Sequence, residues 1–98
     1  MSRFRYGKPD TSQADIVAAL RKVRAQVTIT SAVGRGFPDL VVSHAGAWYV
    51  MEVKTGTAKL NAYEALWHME ARAPVHIVRN AAEALQVLFP QPKKETAT

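Results

Sequence analysis

The chain has 98 residues, enough for one compact domain whose core is built from several packed elements and too few for a second. Thirteen Lys and Arg against eight Asp and Glu give a formal charge of +5, which favours a polyanionic partner, nucleic acid first, although an anionic membrane surface would suit the charge equally. The absence of cysteine excludes disulfides, thiolate nucleophiles and cysteine-ligated zinc, and with no run of roughly 20 apolar residues and no apolar leader the expectation is a cytosolic chain without a membrane span.

Residues 1–9 read as a flexible basic arm in which cations alternate with aromatics, Arg3-Phe4-Arg5-Tyr6-Gly7-Lys8. Arg3, Arg5 and Lys8 suit phosphates and the rings suit stacking on bases, while a frayed, solvated terminus accounts for the same residues. From about Thr11 to Gln26 the apolar residues Ile16, Leu20, Val23 and Val27 recur at helical spacing, with Arg21, Lys22 and Arg24 mostly off that stripe, predicting a helix that packs on a sheet. Val27–Thr30 is a short predicted strand. In the segment that follows, Gly34 and Gly36 allow close backbone approach to a phosphate, with Arg35 as the contact. Glycine content alone would make this an ordinary connection; its placement directly before Asp39 favours the functional reading.

Leu40–His44 and Ala47–Met51 are β-branched and aromatic runs on either side of Ala45-Gly46, a hairpin signal. With those two residues as the tip, Val42 faces Tyr49 and Asp39 falls opposite Glu52; an odd-numbered loop would instead send Asp39 to the other face. Side chains two apart on a strand share a face, so Lys54 joins the two carboxylates. Directly opposed like charges are destabilising, so something positive belongs between them, and a divalent cation with oxygen ligands meets that need.

Thr55–Lys59 is a polar loop in which Lys59 is a further cation for DNA. A second helix is predicted from about Asn61 to Arg72, with Asn61 as cap, Glu64 as its partner three residues on, and Leu66 and Met69 on a shared face. Pro74 closes that segment, Val75–Val78 is a strand, and Asn80 opens a third helix that should bury Leu85, Leu88 and Phe89. The folded domain is thus expected over residues 10–89, with 90–98 a disordered tail. The element order, α-β-β-β-α-β-α, predicts an α/β fold with a mixed sheet: an antiparallel meander, one right-handed crossover and helices on the faces.

Gly34-Arg35-Gly36-Phe37-Pro38-Asp39-Leu40-Val41-Val42, the short hairpin, Met51-Glu52-Val53-Lys54, the polar loop, Leu60-Asn61 and Trp67-His68 together resemble the stand-alone phage and bacterial type of the virus-type replication-repair nuclease (VRR-Nuc) family. That family is a branch of the restriction-endonuclease-like superfamily with the signature PD-(D/E)xK. A bare Pro-Asp followed by Glu-x-Lys is a weak motif; the glycine-rich lead-in, the hairpin length and the downstream helix make the stronger case. The likeness runs from the helix at Gln13 to the helix ending near Phe89.

The resemblance implies a restriction-endonuclease-like core and a Mg2+- or Mn2+-dependent DNA endonuclease. Asp39 and Glu52 would ligate the metal together with the main-chain carbonyl of Val53, and Lys54 would orient the attacking water or offset developing negative charge. Asp15 stands where the family carries an acidic residue, usually a glutamate, and Glu64 where it more often has glutamine. Each also has a structural role to fill, Asp15 as the third residue after a Ser12 cap and Glu64 as the partner of Asn61. His44, His68 and His76 offer an alternative general base, but His76 lies in an apolar strand, His44 borders the hairpin tip and His68 sits mid-helix, and none is assigned that role. The resembled stand-alone proteins look like homodimers that resolve four-way Holliday junctions in DNA repair and recombination, in a bacterial or phage-infected cytoplasm, with Trp48 and Trp67 as candidate interface anchors here. The alternatives are another nuclease of the superfamily acting on flaps, nicks or linear duplex, and a non-catalytic basic DNA-binding module with the same fold.

Overall fold

Ser12 starts the first helix, α1 (Gln13–Lys22), by accepting the Asp15 N–H on its hydroxyl at 3.1 Å. The computed structural model describes residues 11–91; the basic arm with Arg3, Arg5 and Lys8, and residues 92–98 of the tail, lie outside the described residues. The helix presents Ile16, Val17 and Leu20 to the core and stops at Lys22 rather than near Gln26. Arg24 turns to a φ of 71° and the Ala25 N–H reaches back to the Leu20 carbonyl at 3.1 Å, which frees Val27 from the helical stripe for strand β1 (Gln26–Ile29). Pairing with β2 and burial of Val27 in the core outweigh one more helical turn, and Arg21 ties the junction by donating to the Val27 carbonyl at 3.0 Å.

Strands β2 (Leu40–His44) and β3 (Ala47–Val53) form the hairpin, with Leu40 opposite Met51 and His44 opposite Ala47, the register read from the sequence. Its two-residue tip has positive φ at both positions, 49° at Ala45 and 84° at Gly46, the backbone whose twist matches paired strands. After α2 (Ala62–Glu70) the chain returns as β4 (His76–Val78) and ends in α3 (Ala81–Leu88). The sheet order is β1-β2-β3-β4, antiparallel through β3 and parallel between β3 and β4, so the expected mixed α/β sheet is present. No helix among the described residues is long and apolar enough to cross a membrane.

Side-chain alternation divides the sheet into two unlike faces. Val27, Leu40, Val42, Met51 and Val78 meet Ile16, Val17 and Leu20 of α1 and Ala84 and Leu88 of α3 in the core. Glu52, adjacent to Met51 on β3, points the other way, toward α2. That helix buries no residue: Leu66 is exposed and Met69 is 73% exposed. Phe89, expected in the core, is the C-cap of α3 and half exposed, its ring edge-on to His44 at 5.1 Å, because the helix ends one residue before it. Leu88 is buried as expected and Leu85 packs against the core.

The loop between β1 and β2 fits against α2 through Gly36. Its φ is 84°, and a methyl group there would run into the Tyr63 carbonyl. Gly36→Ala is therefore expected to destabilise the fold by about 2–4 kcal/mol, from backbone strain and overpacking together. Gly34→Ala, which shares a positive φ of 78° but has open space around it, should lose less. Chemical unfolding of the two variants side by side checks the difference.

Candidate active site

Asp39 is fixed before its side chain is considered. Thr30, just past β1, donates twice, from Oγ1 to the Pro38 carbonyl and from its N–H to the Asp39 carbonyl, each at 2.7 Å, while its own carbonyl accepts the Val33 N–H at 3.0 Å. Pro38 is fully buried. The chain thus enters β2 with Asp39 one step beyond the Leu40–Met51 pair, opposite Glu52, and the Asp39 Oδ2 accepts the Val53 N–H at 2.9 Å. The Pro-Asp motif is a strand entry locked at both main chain and side chain.

Glu52 is 1% exposed, the one charged residue in the buried set among the described residues. Burial, then the charges of Asp39 and Glu64, push its pKa from an ordinary 4.5 up to about 8, with Lys54 opposing. Lys54 is held by its own N–H, which donates to the Val78 carbonyl at 3.1 Å, and by its ammonium, 2.7 Å from Glu64 Oε1 and 3.8 Å from Glu52 Oε2. The hydrogen bond to Glu64 raises the lysine's pKa. Burial works against the Glu64 carboxylate, but the bonds from Lys54 and from the Asn61 N–H hold its pKa below the usual value.

Glu64 therefore serves two masters. It completes the Asn61 capping box, with both reciprocal bonds at 2.9 Å, and it anchors Lys54. Four residues further on the same helix face, His68 Nε2 stands 3.7 Å from Glu52 Oε1, and burial lowers the imidazole pKa. His68 has no assigned role in the sequence reading. The signal that finds it is the i, i+4 relation to Glu64, once Glu64 is placed against Lys54. Phe37, in the loop before Asp39, meets Trp67 edge-to-face at 5.2 Å, so α2 is docked by aromatic and ionic contacts around the site rather than by an apolar stripe.

The other candidates are arranged around this cluster or apart from it. Arg35, with a φ of 56°, is exposed between Gly34 and Gly36, and Lys59 is exposed in the loop that follows Lys54. Arg79 clamps that loop by donating to the Gly56 and Ala58 carbonyls at 3.0 and 2.9 Å. Asp15 takes no part in the cluster's contacts; it is exposed, with its N–H on the Ser12 cap. His44 and His76 pack against Phe89 and Tyr49. Trp48 is 71% exposed, whereas Trp67 is occupied by Phe37.

The donor set fits a hard divalent cation. Glu52 is withdrawn from water beside a part-buried Asp39, its Oε1 has no hydrogen-bond partner, and the nearest ammonium is drawn closer to Glu64 than to Glu52. Among the described residues no three Asp, Glu or His side chains form a ready-made ligand group, so coordination here would draw on the Val53 carbonyl and on water, as small divalent ions that retain waters do. Compared with known proteins, the chain matches no family model, no curated protein and no solved structure.

Proposed function

We propose that the domain is a metal-dependent DNA endonuclease, hydrolysing phosphodiester bonds with Mg2+ or Mn2+, on a restriction-endonuclease-like core. The observation that carries this reading is a fully buried Glu52 facing Asp39 across a hairpin with Lys54 at its side. A buried acid beside a second acid is unfavourable for folding alone and is the arrangement a cation-dependent site needs. Asp39, Glu52 and the Val53 carbonyl would hold the ion, which when bound lowers the pKa of a water molecule and polarises a phosphoryl oxygen. Lys54, kept protonated by Glu64, offers its ammonium to the attacking water or to charge building on the phosphate oxygens. Arg35 and Lys59 lie on the two loops adjoining Asp39 and Lys54 and take neighbouring phosphates, with the net charge of +5 drawing DNA in.

One such site cuts one strand. A two-fold dimer would use the same patch twice and match a four-way junction, with the exposed Trp48 as an anchor between copies. The test is a panel of end-labelled four-way junction, nicked flap and linear duplex, each with Mg2+, with Mn2+ and with a chelator. Paired nicks in the junction that disappear with the chelator are expected. Equal cutting of linear duplex would reassign the domain to another nuclease activity of the superfamily, and binding with no metal-dependent cleavage of any substrate would leave a DNA-binding module.

A further inference from the structure

The two oxygens of Glu52 look at different neighbours. Oε2 faces the Lys54 ammonium at 3.8 Å, and Oε1 faces His68 Nε2 at 3.7 Å. Neither Oε1 nor Nε2 has a hydrogen-bond partner, and both are sealed from solvent. At that separation they do not bond to each other. Buried polar atoms are nearly always satisfied, and leaving one without a partner typically destabilises by about 1–3 kcal/mol. Two such atoms aimed at one another lack the same thing.

With Glu52 ionised and the His68 proton on Nδ1, the carboxylate oxygen and the imidazole nitrogen both present lone pairs, so what fits between them is an electron-pair acceptor: the proton of Glu52 in the metal-free chain, or a metal ion that displaces it. Ligand bonds of about 2.1 Å, meeting at angles from square to tetrahedral, place two donor atoms about 3.0–3.4 Å apart. The observed gap is a few tenths wider, within a small rotation of either side chain. Building on the metal-dependent reading of this site, we propose that His68 Nε2 and Glu52 Oε1 ligate the same divalent ion, which makes His68 a nitrogen ligand and selects Mn2+ or a neighbouring transition-metal ion over Mg2+. Magnesium takes oxygen donors and dehydrates reluctantly, whereas imidazole suits the first-row transition metals. The same assignment gives α2 a reason for its docking: the capping box fixes its start, Trp67 on Phe37 fixes its rotation, and the face so presented carries Glu64 and His68.

The experiment loads the full chain with Mn2+ and reads pulsed electron paramagnetic resonance for nitrogen coupled to the metal, beside a calorimetric titration. Nitrogen modulation is expected, changing on 15N-histidine labelling of the parent protein, retained in His76→Ala and lost in His68→Ala. His68→Ala should also bind Mn2+ at least about tenfold more weakly, the low end of what even an outer partner of a metal ligand contributes, and its preference for Mn2+ over Mg2+ should shrink. The labelling result stands even where His68→Ala does not fold. Saturable Mn2+ binding and metal-dependent cleavage without nitrogen modulation would overturn the His68 assignment and leave the nuclease reading in place. Absence of saturable Mn2+ binding would overturn both, and nitrogen modulation without cleavage of any substrate would uphold the ligand while ending the nuclease reading.

Discussion

Asp39→Asn is expected to lower metal-dependent cleavage by at least about 100-fold, the scale of losing one preorganised charge partner in a transition state, while the protein stays folded and binds DNA with its salt dependence intact. The amide can keep the fold because the contact Asp39 makes is simple: one oxygen accepting the Val53 N–H, which an asparagine carbonyl can also accept. What it cannot keep is the negative charge opposite Glu52. Lys54→Ala should be as inactive for a different reason, removing the cation between Glu52 and Glu64 and leaving three acids facing one another. DNA affinity, which the proposed function assigns to cations such as Arg35 and Lys59, should change little in either variant. Gel-shift binding across a salt series, run beside single-turnover cleavage, separates the two properties. Cleavage at the parent rate in either variant would remove that residue from the site.

The parts of this arrangement that the sequence foretold are those set by local rules. Ala45-Gly46 fixes the hairpin register by turn length alone, and from that register the meeting of Asp39 and Glu52 follows by strand alternation. Asn61 and Glu64 form their capping box because spacing of three on a helix start brings reciprocal donors and acceptors together. What stayed hidden depends on how elements dock. Leu66 and Met69 form an apolar pair at helical spacing, yet α2 turns Glu64, Trp67 and His68 toward the sheet, because the sheet face it meets carries buried Glu52 instead of another aliphatic row. The periodicity locates the helix; the chemistry of the opposing face decides which side is turned inward. The early end of α1 is a similar case, since Val27 satisfies a helical stripe and a strand equally well until β2 pairs with it.

Glu52→Gln is expected to make the metal-free protein more stable at pH 8, to flatten its pH dependence and to abolish cleavage. In the folded chain Glu52 keeps its proton up to about pH 8, while its ordinary pKa is 4.5. Between those values the folded state holds a proton that the unfolded state has released, so stability is complete below the lower value and is lost as pH rises through the upper one. His68 acts in the opposite sense: its folded pKa lies below 6.5, so its contribution is complete above 6.5 and falls with acidification. The Lys54 and Glu64 shifts, raised from 10.5 and lowered from 4.5, are constant contributions in the neutral range. Among the described groups with a shifted pKa, Glu52 alone changes its contribution from pH 6.5 to 8, and at about 1.4 kcal/mol per pH unit the parent should lose up to about 2 kcal/mol across that window. Glutamine has the same length and no charge to bury, so the loss should vanish in the variant. Urea unfolding at the two pH values with a chelator present measures it, and an equally steep decline in Glu52→Gln would assign the titration to another group. A substitution that raises stability and ends activity is the behaviour of an acid retained in the interior for its chemistry, against the preference of the fold.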